Sequence, residues 1–194
     1  MQDDFEPIAE SLKETTTETM PTQQFYVVSL NKFLVLFMGS AGLYMTYWFY
    51  KQWACYKAAH NGPEWPVLRG VFSVFFVPSL FGKLTALYEK KSGKQSGALK
   101  TATNLFIVVA VINFVSSNIP VNDETGAYLA LVNLFTTPLF CWFCYQAQWF
   151  ANYVCDDPTG DSNKDYSSAN YLWLGVGIVL WVVYFMYVVF PLLA

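Results

Sequence analysis

Charged residues are scarce in this sequence, and long stretches of the chain have none. They make up 13% of the 194 residues, whereas hydrophobic residues make up 55%. A soluble domain usually carries about a quarter charged residues. No acid occurs between Glu89 and Asp123, or between Glu124 and Asp156. Because roughly 20 apolar residues cross a bilayer as a helix, these stretches predict a polytopic all-α membrane protein.

Residue patterns that carry chemistry are also missing. His60 is the only histidine, and the sequence has no H-E-x-x-H motif, glycine-rich phosphate loop or basic nucleic-acid-binding motif. We therefore predict no catalytic residue, no metal, no cofactor and no nucleic-acid partner. Lys83 is the one ionisable exception among the candidate spans, which contain no Asp, Glu, Arg or His. This composition disfavours a proton-driven transporter.

Two motifs resemble ligand sites but are incomplete. Cys141 and Cys144 have C-x-x-C spacing, which places both sulfurs on one face of a helix. A metal or redox site needs further ligands, so buried structural cysteines are the favoured interpretation and a redox role is the alternative. The run DSNKD from Asp161 begins like a calcium loop, but Tyr166 and Leu172 replace the required glycine and glutamate.

The distribution of apolar residues predicts the architecture. Residues 1–24 combine low hydrophobicity with clustered acids, so they predict a disordered acidic tail before a single transmembrane helical domain over 25–194. The second apolar stretch, between Arg69 and Lys83, is only about 13 residues long and contains Pro78, which is typical of a re-entrant or interfacial helix. We predict a bundle of four transmembrane helices plus one partial helix, or alternatively five transmembrane helices. The predicted spans are about 33–50, 105–120, 127–145 and 171–192, and the partial helix is about 68–88.

Basic residues are distributed unevenly along the chain. Eight of the 11 lie between the first span and the 105–120 span: Lys51, Lys57, Arg69, Lys83, Lys90, Lys91, Lys94 and Lys100. Cytoplasmic loops collect lysine and arginine. If the partial helix does not cross, all eight lie inside and the acidic tail lies outside. From this cluster we predict a lipid- or partner-docking site at Lys51, Arg69, Lys83, Lys90, Lys91 and Lys94.

Aromatic residues are concentrated at the end of the first span, in GLYMTYWFYKQW from Gly42 to Trp53. Tyrosine and tryptophan favour the headgroup level, so an interfacial belt is the favoured interpretation and an aromatic recognition groove the alternative. WFYKQW is similar to WFCYQAQW from Trp142, and an internal repeat would end both helices on the same face. We also expect Asn113 and Asn133 to hydrogen-bond between two antiparallel helices.

The run FYVVSLNKFLVLFMGSAGLYMTYWFYKQW (Phe25–Trp53), followed by WPVLRGVFSVFFVPSLF (Trp65–Phe81), resembles a group of uncharacterised bacterial inner-membrane proteins. Their shared pattern is roughly F-x-V-S-x-x-K-F, then G-L-Y-x-x-Y-W-F-Y-K-x-W, then W-P-x-x-R. The resemblance covers about the first third of the chain. It implies a multi-pass location in the bacterial inner membrane and supplies no catalytic residue.

Three functions are compatible with these features. The first is a non-enzymatic accessory or lipid-associated component that acts through a basic cytoplasmic face, with anionic membrane lipids, a second copy or another membrane protein as partner. The second is a small oligomeric transporter or channel for a neutral solute. The third is a lipid-acting membrane enzyme, for which Arg69, Lys83 and His60 are the available polar groups.

Overall fold

The chain is all-helical wherever its structure is described. The structure is a computed structural model, and it describes residues 23–120, 122 and 125–186. In that part of the chain there are seven α-helices, one short 3-10 helix (Asp161–Asn163) and no strand. The helices are α1 (Leu30–Gly39), α2 (Tyr44–His60), α3 (Pro66–Val71), α4 (Ser73–Ser92), α5 (Ala98–Ser117), α6 (Gly126–Val154) and α7 (Ser168–Tyr184). The predicted acidic tail, up to residue 22, and the end of the span predicted to residue 192 lie outside the described residues.

The single span predicted over 33–50 is instead a helical hairpin. Phe33, near the start of α1, packs against Trp48 of α2 with the ring centroids 5.8 Å apart. Phe25, which precedes α1, lies 5.7 Å from Tyr56 near the end of α2. The two helices are therefore antiparallel. As a consequence, the chain before α1 and the chain after Tyr50 lie at the same end of the bundle, not at opposite ends as the predicted span required.

Backbone geometry at the hairpin tip, residues 40–43, explains the reversal. Ala41 and Gly42 both have positive φ, at 53° and 85°, and no α-helix passes through two left-handed residues. The Ser40 hydroxyl accepts a hydrogen bond from the backbone N–H of Tyr44, at 2.9 Å, and so helps start α2. Small residues also allow close approach between helices. Gly39 does have that role, since a Cβ on Gly177 of α7 would overlap its backbone oxygen.

The partial helix predicted over 68–88 is also two helices. Its break lies at Phe72, between α3 and α4, where the backbone (φ −96°, ψ 38°) is not helical. Pro78 instead lies inside the continuous helix α4. Gly70 of α3 fits closely against Thr46 and Tyr50 of α2. Residues 61–92 therefore form a second reversal of the chain beside the first hairpin.

The remaining helices are longer and form the other side of the bundle. Helix α5 has 20 residues and, among the described residues, is the one helix both long and apolar enough to cross a membrane. Helices α1 and α7 are shorter apolar helices. Helix α6 has 29 residues and contains Pro138. Helix α5 therefore begins before the predicted 105–120 span, and helix α6 ends after the predicted 127–145 span.

The ends of several helices meet at one end of the bundle, which we call the basic end. The Lys91 ammonium, in the last turn of α4, donates to the backbone oxygens of Tyr153 and Val154 at the end of α6, at 3.1 and 3.0 Å. The Lys32 ammonium, at the start of α1, donates to the side-chain oxygen of Asn163, which lies between α6 and α7. The ends of α2, α4 and α6 and the starts of α1 and α7 therefore share this end.

Candidate functional site at the basic end

An extended segment, residues 25–28, enters the core at the basic end. Phe25, Val27 and Val28 are buried although they belong to no helix or sheet. A buried backbone without a regular partner must find hydrogen bonds elsewhere, because each unpaired group is costly. Side-chain amides supply them. We call Gln52, Gln148, Asn152 and Asn163 the amide cluster.

Each amide of the cluster contacts the backbone of this segment. Gln52 accepts from the Tyr26 N–H at 3.1 Å and donates to the Tyr26 carbonyl at 3.2 Å, as a neighbouring strand would. Asn152 makes the equivalent pair with Val28, at 3.3 and 2.9 Å. Asn163 donates to the Val27 carbonyl at 2.8 Å. The segment is thus paired as in a sheet, but with side chains from three places in the fold.

Gln148 joins the cluster into one network. Its amide nitrogen donates to the Tyr26 carbonyl at 3.0 Å and to Asn152 at 2.6 Å. Its oxygen accepts from the indole N–H of Trp48 at 2.5 Å and from Gln52 at 3.1 Å. Gln52, Gln148 and Asn152 have no exposed surface. A fully satisfied buried network of this kind fixes one arrangement of the helices around it.

Two cationic side chains of the second reversal lie over aromatic rings. The Arg69 guanidinium is 4.1 Å from the ring centroid of Trp53 and 5.1 Å from that of Phe76. Lys83 donates to the Tyr56 hydroxyl at 3.0 Å and lies 4.3 Å from the same ring. Such cation–π contacts contribute about 0.5–1 kcal/mol at exposed sites. Two of the predicted docking residues are therefore held against rings.

The other predicted docking residues are in different environments. Lys91 forms an ion pair with Asp156, at 2.5 Å, in addition to its contacts with the end of α6. Lys90 and Lys94 are exposed. Lys51 lies over the Tyr26 ring, at 5.3 Å, and lines a small pocket. The predicted six thus do not form a single patch, since Lys91 lies at the basic end whereas Arg69 adjoins Gly70, which packs against α2 nearer the hairpin tip.

His60 is near Lys83 but not near Arg69's rings. Its ring stacks on Tyr56 with centroids 4.1 Å apart, and Lys83 contacts the same tyrosine. Among the described residues, no Asp or Glu forms an ion pair with His60 or Lys83. The arrangement provides a histidine, a phenol and an ammonium in contact, without an acid to orient the imidazole.

The two asparagines predicted to pair lie far from the basic end. The Asn113 amide nitrogen is 3.4 Å from the Asn133 side-chain oxygen and 3.0 Å from the Thr136 hydroxyl. They border a cavity of about 620 Å³ that is otherwise mostly apolar. The hairpin tip, including Ala41, forms part of the wall of this cavity.

The cysteines form no cluster with metal-ligand character. All four are free thiols, and Cys141 and Cys144 are buried among apolar side chains. Within the described residues there is no group of three or more His, Cys, Asp or Glu side chains that could hold a metal ion.

An aspartate organises the loop between α6 and α7. Asp157 accepts hydrogen bonds from the backbone N–H groups of Asp161 and Ser162, at 3.0 and 2.9 Å. Burial raises the pKa of Asp157, but hydrogen bonds from Ser162, Asp161 and Gly160 outweigh it and hold the pKa below its ordinary value. The ionised carboxylate thus stabilises the loop that carries Asn163.

Sequence reasoning missed the amide cluster and Lys32, although the chain contained signals for both. Gln52 and Gln148 each precede a tryptophan in the two similar W-F segments, and both bind the same carbonyl. Gln148 and Asn152 are four residues apart, on one face of a helix without charge. Amides at that spacing in an apolar helix indicate a buried polar partner. The partner here was an extended segment that no helical pattern predicts.

Comparison of the chain with protein-family models, curated proteins and solved structures finds no match. The resemblance to bacterial inner-membrane proteins therefore stays a prediction. Any function assigned to the chain rests on the amide cluster, the cations at the basic end and the cavity beside the hairpin tip.

Proposed function

We propose that the chain is an integral membrane protein in which α5, α6 and α7 cross the bilayer, while the two reversals enter from the basic end and return. Helix α5 has the required length and apolarity. Helix α6 has 29 residues without a charged side chain, about 43 Å of helix. By contrast, the 10 residues of α1 span about 15 Å, half the hydrocarbon thickness.

The exterior of the three long helices supports a lipid environment. Their outward faces carry large apolar side chains that no part of the described chain covers. On α5 these exposed residues are Leu105, Ile107, Val108, Val111, Ile112, Phe114 and Val115. On α6 and α7 they include Leu131, Leu134, Phe135, Leu139, Val176, Ile178, Val179 and Val182. A continuous apolar surface of this extent needs lipid or a partner to cover it.

The single observation that carries the proposal is the position of the charges. No basic residue occurs between Lys100 and Lys164, so the helices α5 and α6 and the loop that joins them have none beyond the first turn of α5. Among the remaining bases, Lys32 and Lys91 lie at the basic end, with Lys90 and Lys94 in the last turn of α4 and just after it. Positive loops face the cytoplasm, so the basic end would be cytoplasmic in a bacterial inner membrane.

On this layout, the chain acts as a non-enzymatic, lipid-associated accessory component through its basic cytoplasmic face. Lys90, in the last turn of α4, and Lys94, just beyond it, are exposed and make no ion pair among the described residues. Each such charge near the surface attracts anionic lipid by about 1 kcal/mol. Lys91 is engaged with Asp156, so it contributes less.

The lipid preference can be tested in reconstituted vesicles. Quenching of tryptophan fluorescence by brominated phosphatidylglycerol, relative to brominated phosphatidylcholine, measures anionic-lipid enrichment around the protein. The double variant Lys90→Glu/Lys94→Glu should remove the preference, because it replaces two attractive charges with two repulsive ones. The matched control Asn118→Glu adds a negative charge at the opposite end and should preserve it. An unchanged preference in the double variant would contradict the proposal.

The membrane layout has a separate test. Reporter fusions or single-cysteine labelling after residue 24 and after residue 61 should report the same side of the membrane, because the first hairpin returns to its starting end. A crossing span over 33–50 would place them on opposite sides. Labelling from opposite sides would refute the two-hairpin layout.

The cavity beside the hairpin tip favours a second candidate, a small transporter for a neutral solute. Its Asn113, Asn133 and Thr136 groups offer hydrogen bonds in an otherwise apolar site. The hairpin tip forms part of its wall, so a solute would pass beside the tip. Uptake of neutral solutes into proteoliposomes, compared with an Asn113→Leu variant, separates transport from lipid association.

A further inference from the structure

A polar pocket of about 320 Å³ lies beside α1, where the extended segment, α2 and the start of α7 meet. Aromatic rings and uncharged polar groups form most of its wall. It is lined by Tyr26, Lys32, Tyr47, Lys51, Asn163, Asp165, Ser167, Ala169, Asn170 and Trp173. We call it the two-lysine pocket. It is distinct from the exposed Lys90 and Lys94 surface.

Lys32 is an unusual residue in this pocket. Only 4% of the surface of Lys32 is exposed. Its ammonium donates to the Asn163 side-chain oxygen at 2.7 Å and to the Asp165 backbone oxygen at 2.6 Å. Both acceptors are neutral, and an ammonium has three N–H groups to place. Within the described residues, no carboxylate lies in ion-pair distance of it.

Lys51 brings a second cation to the same pocket. Its ammonium lies 5.3 Å from the Tyr26 ring centroid and likewise has no carboxylate in ion-pair distance among the described residues. Asp165 also lines the pocket. Two lysines and one aspartate give the lining a net charge of +1. Asp165 attracts the buried Lys32 and offsets one of the two positive charges, so the lining still lacks one negative charge.

We propose that the two-lysine pocket binds the monoanionic phosphodiester of a glycerophospholipid. One negative charge balances the lining, whereas a dianion would leave excess charge beside Asp165. Lys51 and Lys32 supply charge-assisted donors, and the first turn of α7, after Ser167, adds backbone N–H groups and a favourable dipole. The rings of Tyr47 and Trp173 give the glycerol and first acyl carbons an apolar wall. A lipid source rests on the proposed membrane location, but the anion site itself does not.

Thermal unfolding of the full chain in uncharged detergent and phosphate-free buffer tests the proposal. Dioctanoyl-phosphatidylglycerol should raise the unfolding temperature saturably, and dioctanoylglycerol, which has the same chains without the phosphate, should not. Lys51→Gln should weaken the apparent affinity roughly tenfold or more, since a charge-assisted contact is lost. Lys57→Gln, an exposed lysine on the same helix, is the matched control and should leave the affinity unchanged.

Asp165→Asn gives a change in the opposite direction. Its carboxylate is exposed, so the fold should tolerate the amide, and loss of the repelling charge should tighten phosphatidylglycerol binding severalfold. Glycerophosphoglycerol, the headgroup alone, identifies the source of the ligand. An equal shift would support the anion site and assign a soluble phosphodiester, whereas a much weaker one would support the lipid. The proposal is overturned if Lys51→Gln binds as Lys57→Gln does, or if dioctanoylglycerol gives the same shift.

Discussion

The hydrogen bond between Trp48 and Gln148 offers a sharp test of how the amide cluster holds the bundle together. Gln148→Leu keeps the side-chain volume but removes both polar atoms. The Tyr26 carbonyl retains its bond from Gln52, and the Asn152 oxygen retains its bond from the Val28 N–H. The Trp48 indole N–H loses its sole described acceptor, and the Gln52 amide nitrogen loses one of its two acceptors.

The expected destabilisation follows mainly from the indole N–H, because Gln52 keeps its bond to the Tyr26 carbonyl. A buried donor left without an acceptor costs about 1–3 kcal/mol, and Trp48 has no exposed surface through which water could replace it. Trp48→Phe removes the donor, so Gln148→Leu should cost less in that background. A double-mutant cycle should therefore give a coupling free energy of at least about 1 kcal/mol.

The assay can use the protein's own cysteines. Cys144 is fully buried, so a thiol-reactive fluorophore reports its exposure as the protein unfolds in detergent. Gln146→Leu, a partly exposed position two residues earlier on α6, is the matched control and should be close to neutral. If the effects of Gln148→Leu and Trp48→Phe simply add within about 0.5 kcal/mol, the proposed role of the bond is refuted.

Three further predictions concern other parts of the fold. Gly177→Ala should destabilise the protein by about 1–3 kcal/mol, because the new Cβ would overlap the backbone of Gly39. Gly175→Ala is the control and should not destabilise it, because a Cβ there meets open space. Thermal unfolding of both variants measures the difference. The pKa of Asp157 is lowered in the folded state, so its stabilising contribution is present above its unfolded pKa of about 3.9 and is lost as the pH falls through the folded pKa. Asp157→Asn should therefore flatten the acid side of the stability profile below about pH 4. An unchanged profile would contradict this. Deletion of residues 1–22 removes six acids attached to the basic end and should increase anionic-lipid preference in the quenching assay, with no increase at high salt.

The helical class was predictable from the sequence, but the path of the chain was not. The all-helical fold is confirmed for the described residues, and apolar content was enough to predict it. Hydropathy, however, is summed over residues along the chain and does not detect a reversal of direction. The 18 residues from Phe33 to Tyr50 are as apolar in a hairpin as in a straight span. The turn depends on positive φ at Ala41, which a sequence pattern does not predict because alanine rarely adopts it.

The predicted docking residues show the same limit of sequence-based prediction, in this case for the surroundings of charges. The sequence placed Lys51, Arg69 and Lys83 together by counting charges between spans. Whether a cation faces lipid, a ring or an acid depends on contacts between elements that are distant in the chain. Lys91 meets Asp156, 65 positions later, and Lys32 meets Asn163, more than a hundred positions later. Such pairings are determined by helix packing, which composition does not encode.

The amide cluster and the first hairpin have one physical cause. Non-helical backbone at membrane depth is tolerated only where protein groups satisfy it, because lipid offers no hydrogen bonds. In the proposed membrane layout, a hairpin that enters and returns has such backbone at its entrance and at its tip. At the entrance, the amides of Gln52 and Asn152 pair with the extended segment, and at the tip Ser40 bonds the start of α2. These three polar side chains therefore lie where the fold leaves backbone without a helical partner, and this pairing is the physical reason for their presence in apolar helices.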